Sequence, residues 1–181
     1  MEKSSHRSSA SSMPPSSHSD TAALAALLAA SALLLGYVES LIPVVPPVAG
    51  IKLGLGNLAL LLSLSILDAP RITWGIMLTK VLLCGLLFAG VGTLPYALAG
   101  GTASVVVMRL LSRSPRLSCL GVSTAGSIAH MAAQTVVAAL LTSTAEVMLL
   151  LPVLCFIGIL TGTANGLIAN QIVRRLALFR P

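Results

Sequence analysis

The sequence predicts an all-α polytopic membrane protein, a bundle of six transmembrane helices, and three observations carry that reading. Hydrophobic residues make up 56% of the chain and charged residues only 9%, too little polar surface to keep a water-soluble domain dispersed. Apolar runs recur with short polar breaks, and most approach the ~20 residues that cross a ~30 Å hydrocarbon core. When the breaks are assigned alternately to two sides, nine of the eleven Lys and Arg fall on one of them, which the positive-inside rule makes cytoplasmic.

Residues 1–19 hold nine serines with Pro14 and Pro15 and almost nothing apolar, so they cannot bury enough surface to order themselves. They are expected to form a disordered cytoplasmic tail ahead of a transmembrane domain over residues 20–178. Lys3 and Arg7 before an Ala/Leu run imitate a signal peptide, but the run continues to about Ile42, well beyond a 7 to 15 residue h-region. A retained first span over 21–42 is the expectation. Further spans are expected at 54–67, 72–89, 94–111, 119–143 and 147–173, separated by PVVPPVAG, DAPR, GVGTLP, SRSPR and STAE. Lys3, Arg7, Arg71, Arg109, Arg113, Arg116, Arg174, Arg175 and Arg180 then share the cytoplasmic side. Both termini lie there, and the chain is expected in the cell (cytoplasmic or inner) membrane.

The second span is anomalous. Its fourteen residues cover ~21 Å at 1.5 Å each, short of the core thickness. Upstream, PVVPPVAGIKLGLGN combines three prolines with Gly50, Gly54 and Gly56. Irregular backbone at membrane depth survives only where protein or a water-filled cavity satisfies its polar groups. A loop that dips in from the outer face and caps or lines a cavity is therefore expected.

Ionisable groups within spans are costly and usually face a bundle interior or a substrate path. Counted from the cytoplasmic boundary at 1.5 Å per residue, Lys80 lies about 13 Å up the third span, His130 about 20 Å up the fifth, Asn57 about 16 Å up the second and Asn165 about 13 Å up the sixth. Gln134 stands one turn above His130 on the same face. Amides and histidines in spans also serve as interhelical glue, whereas a midplane Lys needs either a function or an ion pair. Glu39, at the outer end of the first span, calls for a cation. Lys52 is the nearest in sequence, and such a pair would pin the loop; two solvated charges are the alternative. Ala22, Ala26 and Ala30 form a small-residue face on the first span, as do Gly158, Gly162 and Gly166 on the sixth. Internal packing explains either, and docking onto another membrane subunit is the sharper reading of the alanines.

Several chemistries are excluded or unsupported. GIKLGLGN lacks the order of a phosphate-binding nucleotide loop. Elongating a prenyl chain requires clustered aspartates for Mg²⁺, and the chain holds only Asp20 and Asp68. Cys84, Cys119 and Cys155 show neither disulfide nor metal spacing. No catalytic residue, metal or cofactor is assigned, and the basic balance of +6 forms no nucleic-acid stripe.

In order, ESLIP at 39–43, GIKLGLGN at 50–57, the Lys80 span, YALAGG at 96–101 with Met108, SIAHMAAQ at 127–134 and LPVL…IGILTGTANGL at 151–167 resemble the heptaprenyl diphosphate synthase component I family, also called the Gx transporter family. The resemblance covers about residues 22–176. That family is similar to the substrate-binding S components of energy-coupling-factor transporters, six-helix proteins that capture vitamins or related molecules. It implies an S-component-like bundle, a lid between the first two spans, and a membrane coupling subunit with ATPases that docks on the alanine face. An arginine is expected near Lys80 and an Asn after His130, where this chain has Met131.

The combined expectation is a non-enzymatic uptake component for an anionic, vitamin-like or cofactor-precursor molecule. Asn57, Lys80, His130, Gln134 and Asn165 would bind it, and Glu39, Gly50, Lys52, Gly54 and Gly56 would form the lid. The absence of a midplane acid favours a carboxylate or phosphate. The alternative is a non-catalytic membrane subunit of a prenyl (heptaprenyl) diphosphate synthase or a quinone-biosynthesis accessory.

Overall fold

The computed structural model describes residues 18–41, 52–67, 69–114 and 116–178. Six α-helices account for most of them: α1 (His18–Ser40), α2 (Asn57–Ile66), α3 (Pro70–Cys84), α4 (Leu94–Leu111), α5 (Cys119–Thr142) and α6 (Leu151–Leu178). A π-helical turn, Gly85–Ala89, prolongs α3, and 3₁₀ turns at Val91–Thr93 and Ala145–Leu150 lead into α4 and α6. No strand occurs among the described residues.

Local sequence explains the boundaries. Pro70 and Pro95 open α3 and α4, where the missing N–H would have had no helical partner. The Ser118 hydroxyl caps α5 by accepting from the Gly121 N–H at 3.3 Å. Gly90, at φ 84°, makes the turn between the α3 extension and α4, a conformation costly for residues with a Cβ.

Five helical stretches are long and apolar enough to cross a membrane: Ser19–Ser40, Pro70–Ala89, Val91–Leu111, Cys119–Thr142 and Ala145–Leu176. The sixth, α2, has ten residues, or ~15 Å of rise. It is shorter than the expected 54–67 because Gly54 to Gly56 stay outside the helix. The bundle is inverted relative to a soluble protein. Leu140 and Leu149 are 72% and 78% exposed, while Lys80, Asn57, His130, Gln134 and Asn165 are buried. Lipid is the solvent such an exterior requires, so the protein is an all-α multi-pass membrane bundle.

Small residues set the helix spacing. A Cβ on Gly162 or Gly166 would lie 2.7 Å from the Cα of Thr124 or Leu120, and one on Gly158 would lie 3.1 Å from the Ser127 carbonyl oxygen. The glycine face of α6 thus packs directly on the α5 backbone, and Thr124 and Thr163 hydroxyls meet across it at 3.4 Å. The order of these contacts makes α5 and α6 antiparallel. Gly100 facing His130 and Gln134, with Gly126 facing Met108, does the same for α4 and α5. Ser63 and Thr73 hydroxyls, 2.7 Å apart, tie α2 to α3. By contrast, Ala22, Ala26 and Ala30 are exposed, while Leu28 and Ala32 point inward from the same helix.

Candidate functional site

A buried ion pair joins two residues far apart in the sequence, Glu39 and Lys80. Glu39, 2% exposed, places Oε2 3.5 Å from Lys80 Nζ. The expected partner was Lys52, or water; neither holds, and the reason is Gly36. One turn before Glu39, it lets α3 approach α1 closely: a Cβ there would meet Cys84 Sγ at 2.5 Å and Lys80 Cε at 3.3 Å. The lysine stem then runs past Gly56, where a Cβ would collide with it, and its ammonium reaches the carboxylate. Glu39 Oε1 accepts the Leu55 N–H. Its charge therefore sits near the N-terminus of α2, whose dipole favours an anion, rather than being left to the unfavourable C-terminus of α1. The expectation of a cationic site without a nearby acid is corrected accordingly: Lys52, Lys80 and Glu39 share one pocket and sum to a single positive charge.

Segment 52–56 is clipped down from two further helices. On α5, the Gln134 side chain makes both hydrogen bonds of one amide: Oε1 accepts the Lys52 N–H at 3.0 Å and Nε2 donates to the Lys52 carbonyl at 3.2 Å. On α6, Asn165 Nδ2 donates to the Gly54 carbonyl at 3.1 Å, which also accepts the Asn57 N–H at 3.0 Å. Gly54 has φ 82°, and a Cβ would press on Asn57 Nδ2 at 3.0 Å. Irregular backbone inside the bundle is thus paired by side chains. Burial pushes the Lys52 ammonium below its ordinary pKa; neighbouring Lys80 adds to this and Glu39 opposes it.

Beneath the segment lies a pocket lined by Glu39, Lys52, Asn57, Lys80 and His130, with Leu60, Met77, Val81, Cys84, Ala97 and Gly101 as its apolar wall. Its volume is about 10 Å³, room for about one water. Among its polar groups, both amide atoms of Asn57 are buried and find no hydrogen bond among the described residues, Glu39 Oε2 meets the Lys80 ammonium, and the His130 ring lies against Gly100 of α4. Each unpaired amide atom carries a penalty of about 1–3 kcal/mol until something pairs with it. Asn57, Lys80 and His130 face one another, as their estimated depths suggested. Gln134 and Asn165 belong to the same layer but turn their amides to the backbone of 52–54. Gly50 lies outside the described residues.

The apolar wall was not anticipated from sequence. Its signal was the ALAGG run at 97–101, whose small residues let α4 close on Met77 and His130: a Cβ on Gly101 would meet Met77 Sδ at 3.0 Å, and one on Gly100 His130 Nδ1 at 2.9 Å. Among the described residues no group of three or more His, Cys, Asp or Glu could hold a metal.

The family model described as heptaprenyl diphosphate synthase component I matches residues 28–172, from the first half of α1 to within two turns of the end of α6. Neither a curated protein nor a solved structure matches the chain. The matched stretch includes the buried Glu39–Lys80 pair, the clipped segment, Asn57 and His130, and the chain belongs to the heptaprenyl diphosphate synthase component I family.

Proposed function

We propose that the protein is a membrane uptake component that captures a small polar molecule beneath segment 52–56, in the manner of an S component. The observation that carries this reading is the buried side-chain amide of Asn57, unpaired among the described residues in a pocket shared with His130 and the Glu39–Lys80 pair. Structural glue would be paired; this amide awaits a partner. The closed volume holds too little space for a vitamin-sized molecule, so capture requires segment 52–56 to lift, breaking the Gln134, Asn165 and Glu39 bonds to it. With a net charge of one positive unit, the pocket accommodates a carboxylate or phosphate at Lys80 and Lys52 while leaving Glu39 to hold a donor. A coupling subunit with ATPases would dock along the exposed Ala22, Ala26 and Ala30. The N-terminus and C-terminus are cytoplasmic in this scheme, and the cell membrane is its location.

Untargeted mass spectrometry of small molecules released from the purified protein tests the site. The wild type should release a compound that Asn57→Ala does not, since that change breaks no side-chain hydrogen bond among the described residues. Equal release from both would overturn the assignment. The family description supports a second reading, a non-catalytic membrane subunit of a prenyl diphosphate synthase. Co-purification of a soluble aspartate-rich synthase, with no ATPase-linked membrane partner, would select it.

A further inference from the structure

Asn57, Gln134 and Asn165 place carboxamides in one layer, and only two of them are turned to backbone. Gln134 shows how such a group is satisfied at this depth: its oxygen accepts the Lys52 N–H and its nitrogen donates to the Lys52 carbonyl, a donor and an acceptor presented side by side. Asn165 donates to the Gly54 carbonyl. Asn57, 2% exposed, keeps both Oδ1 and Nδ2 unpaired among the described residues. It is the first residue of α2 and lines the pocket beside Leu60, Met77 and Val81.

We propose that the ligand of this pocket presents a cyclic amide edge to Asn57, an N–H and a C=O on the same side of a lactam or imide ring. The inference rests on the uptake reading for the place of the ligand and adds its chemical class. A buried carboxamide is satisfied only by a donor and an acceptor together. A carboxylate or phosphate offers acceptors alone, so it would pair Nδ2 and leave Oδ1 unmatched, which buried groups resist; an ammonium does the reverse. An open-chain secondary amide is trans, with its N–H and C=O on opposite sides, and shows Asn57 only one of them. A ring enforces the cis arrangement and sets the two side by side. The Asn57 amide can turn over about its last bond without breaking a hydrogen bond among the described residues, so either order of donor and acceptor is met. The anionic group assigned to Lys80 and Lys52 is then a substituent of the ring, whose faces have Leu60, Met77 and Val81 to rest on.

Orotate, a cyclic imide carrying a carboxylate, is the probe, and orotate methylated on both ring nitrogens, with the same ring and charge but no N–H, is its control. Calorimetric titration of the full chain in lipid nanodiscs should show the wild type binding orotate at least about tenfold more tightly than the control, the loss expected when one buried polar partner is left unpaired. Asn57→Leu, similar in size and without polar atoms, should bind the two equally; an unchanged unfolding midpoint checks its fold, and the wild-type ratio does not depend on it. A preference that survives in Asn57→Leu would trace to the bulk of the methyl groups and overturn the proposal. Equal binding of the two by the wild type, or binding of neither, would overturn it as well. Nicotinamide bound in place of orotate would assign the edge to a freely turning primary carboxamide and overturn the ring. The uptake reading is decided separately, by whether the wild type releases a compound that Asn57→Ala does not.

Discussion

Removing the charge of Lys80 should destabilise the protein unless Glu39 is neutralised with it. At 3.5 Å and an effective dielectric of ~20, two unit charges attract by about 5 kcal/mol before desolvation is counted. Lys80→Met keeps the stem that runs past Gly56 but leaves the Glu39 charge buried, with Oε2 lacking any hydrogen bond. Breaking a buried pair on one side costs about 3–5 kcal/mol, whereas removing both charges is often nearly neutral. Glu39→Gln retains an oxygen for the Leu55 N–H, so its cost comes mainly from the stranded ammonium. The double variant Glu39→Gln/Lys80→Met should therefore recover most of what either single change loses, with a coupling of about 2 kcal/mol or more. Reversible unfolding in bicelles, followed by circular dichroism across the four proteins of the cycle, measures it. Additive losses would show that the two charges do not stabilise each other and would refute the pairing.

Gln134→Ala removes both bonds to the Lys52 peptide, and hydrogen–deuterium exchange of a peptide covering 52–56 should accelerate by about tenfold or more at ~1 kcal/mol per bond; unchanged exchange would mean that Gln134 does not hold the segment. Gly162→Ala drives a methyl to 2.7 Å from the Thr124 backbone and should lower stability by about 1–3 kcal/mol, as overpacking does, visible as a lower unfolding midpoint. Gly75→Ala meets nothing within 4 Å in a helix interior, and the same assay should find it neutral or stabilised by up to about 1 kcal/mol. Gly100→Ala presses on His130 and Gln134, so it should both destabilise the bundle and speed exchange in 52–56.

The number, order and rough limits of the helices are legible in the amino-acid sequence alone, because crossing a hydrocarbon layer imposes a length and an apolarity that few other folds imitate. The sequence also exposed the short second span and the layer of polar side chains, since a Lys, a His and two Asn in apolar runs stand out at once. The glycine face of α6 was legible for the same reason: spacing by four on a helix defines a face without knowledge of its neighbour. Partnership was not legible. Glu39 and Lys80 are 41 positions apart, and only the close approach of α1 and α3 at Gly36 brings the ammonium to the carboxylate in preference to the nearer Lys52. The orientation of each amide was not legible either: Gln134 and Asn165 turn theirs to segment 52–54, while Asn57 keeps its own unpaired among the described residues. Depth along a helix follows from counting residues; which way a polar atom turns depends on the neighbours that surround it.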